Sequence, residues 1–358
     1  MRAVVYSSFG RTPQLREIPA PAAPPGGVTV RVSATGVCRS DHHAWTGADP
    51  VRLPHVPGHE LVGTVEEVGA GVNRWSGGER VTVPFVCGCG RCEWCAAGDA
   101  QVCPDQRQPG FTDHGSFAEV VALHAADTNL VAVPESLDDV AAAALGCRFA
   151  TAYRALTAHG GLRAGDRLAV HGMGGVGLSA LLIARELGAR VVAVDVSPAA
   201  LTLATNLGAE DVIDASGCSA EEVAARVHEA TGGGVHVSLD AVGHPQVARQ
   251  SVLSLRRRGR HVQAGLLLGD HAGAALAMDR VVAWELSIHG THGLAARDYP
   301  AMLDLASRVD LAALVGRVVG LEDAGAALAT MDSAATTAGV TVVDLRRETP
   351  APARPHPA

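Results

Sequence analysis

The sequence predicts an α/β protein of two domains, one mainly β and one built on a doubly wound parallel sheet. Its 358 residues exceed what a single hydrophobic core usually serves. The first 135 residues contain short Val-rich segments cut by Gly and Pro turns, whereas strands and helices alternate regularly after residue 150. These patterns indicate a β-rich domain followed by an α/β domain.

Composition and charge exclude several classes of function. Hydrophobic residues make up 47% of the chain and charged residues 18%, so buried cores are expected and global disorder is not. The net charge of −8 argues against nucleic acid as the main partner, because that binding depends on neutralising phosphates. The N-terminus has no apolar signal-peptide core, and the longest apolar run is broken by glycines, so we expect a cytoplasmic protein without a membrane partner.

The β-rich part is predicted from apolar segments bounded by turns. Strands are expected at residues 2–6, 28–34, 61–68, 80–84 and 116–121. Near the C-terminus a helix, a strand, a second helix and a second strand are expected at 299–308, 314–319, 321–331 and 339–344. Because these four elements follow the α/β units, we assign residues 1–148 and 290–358 to the β-rich domain. Residues 149–289 form the other domain, and 348–358 are expected to be disordered.

Six strands alternating with helices predict the parallel sheet. They are expected at residues 168–171, 190–194, 212–214, 235–240, 260–264 and 285–289. A helix capped at Ser136 precedes them and is expected to end at Gly146 and Cys147. The basic run 256–260 is interpreted as a solvated helix end.

A glycine-rich turn follows the first strand of this sheet. It comprises Gly172, Gly174, Gly175, Val176 and Gly177 and precedes a predicted helix, and Asp195 ends the next strand. This is the context of the Rossmann dinucleotide-binding fingerprint, in which the glycines let the backbone approach a pyrophosphate at the helix N-terminus. Asp195 would bind the ribose hydroxyls and repel a 2′-phosphate, which favours NAD over NADP. The alternative is a glycine turn that packs a helix on a strand without a ligand.

Four closely spaced cysteines predict a structural zinc site in a lobe over residues 87–104. The ligands are Cys89, Cys92, Cys95 and Cys103. Four thiolates close a tetrahedral site and leave no position for substrate. Four unrelated free cysteines or a disulfide pair are the alternatives, and the reducing compartment disfavours the disulfide. Cys87 and Cys218 have no assigned role.

The stretch from Cys38 to Glu60 holds two more zinc ligands. Cys38 and His59 are suitable donors, and Pro and Gly are frequent between them. Catalytic zinc usually takes three protein ligands and an open position, so a third ligand must lie elsewhere in the chain.

Five motifs in the same order resemble those of the zinc-containing alcohol dehydrogenases of the medium-chain dehydrogenase/reductase family, over residues 1–345. They are Cys38-x-Ser40-Asp41-x-His43, Gly58-His59-Glu60-x2-Gly63-x5-Gly69-x2-Val72, the four-cysteine lobe, Gly146-Cys147 followed by Phe149-Ala-Thr-Ala-Tyr153, and the glycine turn. The resemblance implies a GroES-like, mainly β catalytic domain joined to a Rossmann domain.

The resemblance also implies roles for individual residues. Cys147 matches the third ligand of the catalytic zinc, which makes two zinc ions per chain. Glu60 matches a carboxylate able to approach that zinc, and Asp41 matches an acid that orients His59. A second group would serve proton release, cofactor and substrate: Ser40 and His43 as a proton relay, Arg39 at the pyrophosphate, and Phe85 facing the substrate.

The implied function is reversible hydride transfer between a zinc-bound primary alcohol, as its alkoxide, or the matching aldehyde, and NAD. The connection between Cys103 and Cys147 resembles that of compact, often tetrameric relatives, so a homotetramer is expected rather than a dimer. Ala200 stands where relatives often carry a Lys at the adenosine ribose, which leaves use of NADP open.

Two alternatives to this function remain at the level of sequence. The first is a related oxidoreductase for a secondary alcohol, a polyol or a specialised biosynthetic alcohol. The second is a regulatory or binding protein whose four-cysteine lobe contacts nucleic acid, which the net charge disfavours.

Overall fold

The computed structural model describes residues 1–332 and 338–347, so the predicted disorder of 348–358 falls outside the described residues. Two larger sheets and one two-stranded sheet form the architecture. Among the described residues, no helix combines the length and apolar composition that crossing a bilayer requires.

The N-terminal sheets are antiparallel except at one edge. Their strands up to residue 132 are Arg2–Val5 (β1), Gln14–Glu17 (β2), Val28–Val37 (β3), Glu60–Val68 (β4), Arg80–Thr82 (β5), Val120–Leu123 (β6) and Val131–Ala132 (β7). The long strand β3 is central, because it pairs antiparallel with both β4 and β6.

The parallel sheet has six strands in the described residues. They are Arg167–His171 (β8), Arg190–Asp195 (β9), Asp211–Asp214 (β10), Val235–Asp240 (β11), Leu255–Gln263 (β12) and Ser287–Gly290 (β13). The spatial order β10-β9-β8-β11-β12-β13 reverses direction beside β8, as in a doubly wound fold. The predicted fold class is therefore confirmed. The basic run 256–260 lies inside β12, so its interpretation as a helix end was wrong.

The C-terminal strands Val315–Val319 (β14) and Val340–Asp344 (β15) join the first sheet, where β15 pairs antiparallel with β3. This pairing supports our assignment of residues 290–358 with 1–148, which we retain as a proposal.

The helices fill the connections between these strands. They are Arg39–Thr46 (α1), Glu93–Ala97 (α2), Ala126–Asn129 (α3), Asp139–Ala143 (α4), Ala150–Arg154 (α5), Gly175–Glu186 (α6), Pro198–Asn206 (α7), Ala220–Thr231 (α8), Pro245–Leu253 (α9), Met278–Trp284 (α10), Tyr299–Ala306 (α11) and Leu321–Ala329 (α12). Helix α1 was not predicted, because only eight residues form it and they lie among Pro and Gly.

A nearly continuous helical segment crosses between the two large sheets. It is capped by Asp138, whose carboxylate accepts the Ala141 N–H, and not by Ser136 as predicted. It also does not end at Cys147, because α4 and α5 are joined by a π-helical turn over Leu145–Phe149. Such turns add one residue to a helical turn and occur often at functional sites.

This helical segment lies in the largest apolar core. Ala34 and Val62 of the first sheet, Phe149 of the π-helical turn and Leu168 of the parallel sheet all belong to that core and are fully or almost fully buried. Burial of large apolar side chains contributes roughly 1.5–3 kcal/mol each. The shared core therefore holds the two sheets against the segment that carries Cys147.

A buried polar network runs through the centre of the parallel sheet. Gln250 donates to His171 Nδ1 at 3.0 Å, and His261 lies 2.9 Å from the Ser251 hydroxyl and 3.2 Å from the Gln263 carbonyl oxygen. Gln263 in turn donates to the Asp240 carboxylate. Burial lowers the pKa of His171 to about 3 and that of His261 to about 4, so both imidazoles are neutral in the folded protein.

We predict that these two histidines make the protein less stable in mild acid. Below about pH 6.5 the unfolded chain takes up protons that the folded chain does not. The free energy of unfolding should therefore fall, by up to about 1.4 kcal/mol per pH unit for each histidine, as the pH drops from 6.5 towards 4. Urea unfolding between pH 7 and 5 measures this slope.

His261→Gln should flatten that pH dependence, whereas His271→Gln, at an exposed position, should leave it unchanged. An equal slope in wild type and His261→Gln would contradict the account of the buried network.

Candidate active site and metal centres

Three metal-binding side chains converge at the junction of the helical crossing and the first sheet. The ligand atoms of Cys38, His59 and Cys147 all lie within 4.8 Å of one another, and the three residues are buried. Cys38 precedes α1, His59 precedes β4, and Cys147 lies in the π-helical turn. The structure therefore brings together residues that are distant in sequence.

Asp41 holds the first two of these residues in place. Its fully buried carboxylate accepts hydrogen bonds from the backbone N–H groups of Cys38 and Gly58, both at 3.0 Å, and lies 2.9 Å from His59 Nδ1. A carboxylate on Nδ1 fixes the imidazole tautomer and leaves Nε2 as the metal-binding atom. The geometry is that of the orienting acid that the resemblance implies.

The donor set fits a zinc ion. His59 Nε2 is a buried polar atom without a hydrogen-bond partner among the described residues, which is the arrangement expected for a metal ligand. A hydrogen bond from Cys147 and the neighbouring His59 hold the pKa of Cys38 well below its usual range. Two sulfurs and one imidazole nitrogen are the chemistry that zinc prefers at a catalytic site with one open position.

The carbonyl of Gly146 fixes the third donor. It accepts from the backbone N–H of Phe85 at 3.3 Å and from the buried Tyr299 hydroxyl at 3.2 Å. These two contacts orient the π-helical turn that carries Cys147. Tyr299 was not a candidate from sequence, because it lies 153 residues from Gly146.

Glu60 forms a buried ion pair with Arg148. The backbone N–H and Nε of Arg148 donate to Glu60 Oε1 at 3.0 and 2.9 Å, and Nη2 pairs with Oε2. Burial raises the pKa of Glu60 and Arg148 opposes the rise, while the pKa of Arg148 itself lies above its usual value because Glu60 and the Cys38 thiolate outweigh burial. Arg148 follows Cys147 directly, yet sequence reasoning assigned it no role.

Aromatic rings form a wall beside the donor set. The ring of Phe111 lies 5.1 Å from that of His59, and the ring of Phe85 lies 6.0 Å from it. His292 meets the edge of Phe85 at 5.1 Å. Phe85 was a candidate from sequence, whereas Phe111 and His292 were not. The wall gives this side of the site an apolar surface.

The candidate proton relay lies on α1. The Ser40 hydroxyl is 4.0 Å from Cys38 Sγ, and His43 is partly exposed one turn further along the helix. Burial lowers the pKa of His43, with a smaller contribution from Arg39. His42, the neighbour that could have been confused with His43, is buried and lies 3.2 Å from Asp332.

Arg39, the candidate pyrophosphate ligand, forms an ion pair near the surface. Its guanidinium pairs with Asp332, the last described residue before the gap at 333–337. Both side chains are more than half exposed, so the ion pair is weak and a phosphate could replace it.

The four-cysteine lobe is a second candidate metal centre. The ligand sulfurs of Cys89, Cys92, Cys95 and Cys103 lie within 4.8 Å of one another, and all four are free of disulfide bonds. Backbone N–H groups of Cys89 and Cys95 donate to lobe sulfurs at 3.4 Å. Asn129 anchors the lobe, because its side-chain amide bonds both the N–H and the carbonyl of Gly88 at 2.9 Å.

The geometry of the glycine turn is compatible with a bound pyrophosphate. Gly172 adopts a positive φ of 94°, and a Cβ on Gly177 would stand 1.9 Å from the Gly172 carbonyl oxygen. A Cβ on Gly174 would meet nothing within 4 Å, so the space above the turn is open. Helix α6 begins at Gly175, within the glycine turn itself, and its N-terminus lies at that space.

Asp195, at the end of β9, is hydrogen-bonded to the glycine turn. Its carboxylate accepts from the backbone N–H of Met173 at 2.6 Å and from that of Ser197 at 2.8 Å. These two bonds fix the carboxylate at the end of β9, where the fingerprint expects the ribose.

Two family models match the chain. One, described as the alcohol dehydrogenase GroES-like domain, covers residues 24–135, and the other, described as zinc-binding dehydrogenase, covers residues 175–308. Together with the fold and the donor sets, these matches define a zinc-binding oxidoreductase.

Relatives of known activity agree with that class. An alcohol dehydrogenase of Geobacillus stearothermophilus is 34% identical over 86% of this chain and 89% of its own length. An alcohol dehydrogenase of Rhizobium meliloti (strain 1021) is 37% identical over 75% of this chain and 78% of its own length. An L-threonine 3-dehydrogenase of Rhizobium johnstonii is 29% identical over 86% and 89%. The chain therefore belongs to the zinc-containing alcohol dehydrogenases of the medium-chain dehydrogenase/reductase family.

Solved structures show the same fold. The alcohol dehydrogenase of Thermus sp. ATN1 has a TM-score of 0.86 at 31% identity and covers 96% of this chain and 99% of its own. A Pyrobaculum aerophilum alcohol dehydrogenase with bound cobalt and zinc has a TM-score of 0.81 at 28% identity, covering 96% and 99%. A Sinorhizobium meliloti 1021 structure bound to NADP has a TM-score of 0.84 at 27% identity, covering 96% and 98%.

We predict that Asp41→Asn weakens metal binding at the Cys38, His59 and Cys147 site by about 10- to 100-fold, because the amide cannot accept all three hydrogen bonds. Chelator competition followed by metal analysis measures the loss, and the four-cysteine lobe should keep its metal. Asp49→Asn, beyond the other end of α1, is the control. Equal metal retention in Asp41→Asn and wild type would contradict the orienting role.

Proposed function

We propose that the chain is a zinc- and NAD-dependent alcohol dehydrogenase that interconverts a primary alcohol and its aldehyde. The convergence of Cys38, His59 Nε2 and Cys147 carries this proposal, because three protein donors leave one position for a substrate oxygen. Zinc bound by these three residues would supply a Lewis acid for that oxygen, and a nicotinamide bound at the glycine turn would supply the hydride acceptor. The four-cysteine lobe holds a second, structural zinc.

The residues of the chain supply the proton path and the cofactor contacts. The Ser40 hydroxyl, close to Cys38 Sγ, accepts the alcohol proton as it gives up its own towards His43, which passes a proton to solvent. A lowered pKa suits His43 as the acceptor, since the neutral imidazole then predominates at neutral pH. Arg39 leaves Asp332 to bind the pyrophosphate at the glycine turn.

The aromatic wall favours a small apolar alcohol. Phe85 and Phe111 narrow the approach to His59 and offer no polar group to the hydroxyls of a polyol. The second candidate is a secondary alcohol, which the similarity to an L-threonine 3-dehydrogenase keeps in consideration. A spectrophotometric screen of primary alcohols, secondary alcohols, polyols and threonine with NAD and NADP separates the two. Higher kcat/KM for secondary alcohols would overturn the assignment to primary alcohols.

We predict that Cys147→Ala loses the catalytic metal and the dehydrogenase activity while the four-cysteine lobe keeps its zinc, because two remaining ligands do not hold zinc at a catalytic site. Metal content should fall from two to one zinc ion per chain. Cys218→Ala, in which a partly exposed cysteine outside both ligand sets is removed, is the matched control. A fully active Cys147→Ala variant with two zinc ions would contradict the ligand assignment.

NAD is preferred over NADP in this proposal. Both oxygens of Asp195 are fixed by backbone N–H groups, and the five residues after it, Val-Ser-Pro-Ala-Ala, contain no cation for a 2′-phosphate. The negative charge of Asp195 therefore meets that phosphate without compensation.

We predict that Asp195→Asn raises the NADP-to-NAD ratio of kcat/KM by about tenfold or more, equivalent to roughly 1.4 kcal/mol, because it removes this repulsion. Asp214→Asn is a matched control: Asp214 ends the adjacent strand β10 and bonds the Ser216 N–H in the same manner. An unchanged ratio in Asp195→Asn would show that Asp195 does not set the preference.

The homotetramer and the cytoplasmic location remain proposals. The tetramer rests on the short connection between Cys103 and Cys147.

A further inference from the structure

Arg148 contacts the immediate neighbours of all three proposed metal ligands. It follows Cys147 in the chain, it pairs with Glu60, which follows His59, and its Nη1 donates at 3.2 Å to the carbonyl of Val37, which precedes Cys38. Its backbone N–H also donates to Glu60, so one residue links the three segments that carry the ligands.

The ion pair also occupies a second buried carboxylate of the site, that of Glu60, which directly follows His59 in the chain. Both oxygens of Glu60 accept from Arg148, and Glu60 is fully buried. A buried carboxylate without a counter-charge is strongly unfavourable and would turn to the nearest cation, which in the loaded protein is the metal. The resemblance implies a carboxylate able to approach zinc, whereas Arg148 holds it fixed.

Arg148 further connects this arrangement to the glycine turn. A Cβ on Gly175 would lie 2.2 Å from Cδ of Arg148, so the arginine stem packs directly against the first residue of α6. Only a residue without a side chain at position 175 leaves room for the arginine.

We propose that Arg148 is a positioning residue that keeps Glu60 out of the metal's coordination sphere and so preserves the open position for substrate. This inference rests on the proposed catalytic zinc site. It predicts that the metal has no carboxylate ligand in the wild type and gains one when the guanidinium is removed.

The test uses the holoenzyme in which Co²⁺ has replaced zinc, because the visible spectrum of Co²⁺ reports the number and type of its ligands. Arg148→Met, which keeps the arginine stem but not its charge, should shift the cobalt bands relative to wild type as Glu60 binds the metal. Glu60→Gln/Arg148→Met, which carries neither charge and no carboxylate, should restore the wild-type bands. Arg154→Met, on the following helix and paired with Asp99, is the matched control and should not shift them.

Two outcomes would overturn the proposal: unshifted bands in Arg148→Met, or the same shift in the double variant. If Arg148→Met does not fold, Glu60→Gln alone decides. Unchanged bands in that variant are expected, because Glu60 is not a ligand in the wild type, and shifted bands would show that it is.

The same experiment separates this inference from the function on which it rests. Wild-type protein that binds one Co²⁺ per chain, in the four-cysteine lobe only, would contradict the catalytic metal site itself. Two Co²⁺ per chain with no shift in Arg148→Met would contradict the role of Arg148 alone.

Discussion

The active-site region depends on one buried carboxylate, that of Asp41. This fully buried carboxylate accepts hydrogen bonds from the backbone N–H groups of Cys38 and Gly58, and it contacts the imidazole ring of His59. In this way it fixes the start of α1, the approach to β4 and the tautomer of a metal ligand together. Removing one partner of a buried, hydrogen-bonded charge leaves polar groups without compensation, and each costs about 1–3 kcal/mol. Glycine fits at position 58 for two reasons. The backbone there has a φ of 105°, and a Cβ would collide with Ser116 and Phe117.

The third ligand comes from a different part of the fold, and this makes the site sensitive to the junction between the sheets. The π-helical turn that carries Cys147 is held by Phe85 and Tyr299 through the Gly146 carbonyl, and by Arg148 through Glu60. The Arg148 stem packs against Gly175 of the glycine turn. The proposed metal donors, the aromatic wall and the glycine turn therefore share supporting side chains, which is the arrangement that hydride transfer between two bound groups in fixed geometry would require.

Sequence reasoning was most informative where a feature depends on local spacing. The four cysteines of the lobe and the residues 172–177 of the glycine turn are each contained in a short segment, and the strand alternation sufficed for the six-stranded sheet. It failed where contacts join distant segments. Arg148 meets Glu60 and Val37 across 88 and 111 residues, and no periodicity encodes such pairs. Gly146 and Cys147 were expected to end a helix because glycine is unfavourable inside helices. In the structure the helical segment continues through them as the π-helical turn, which packs against the first sheet.

Anomalous diffraction at the zinc absorption edge, from crystals of the wild-type holoenzyme, tests the central claim most directly. The account predicts two zinc peaks per chain, one within the four-cysteine lobe. The other should lie within about 2.0–2.3 Å of Cys38 Sγ, His59 Nε2 and Cys147 Sγ, with Glu60 still paired to Arg148. A single peak in the four-cysteine lobe would contradict the catalytic metal site and with it the proposed alcohol dehydrogenase mechanism.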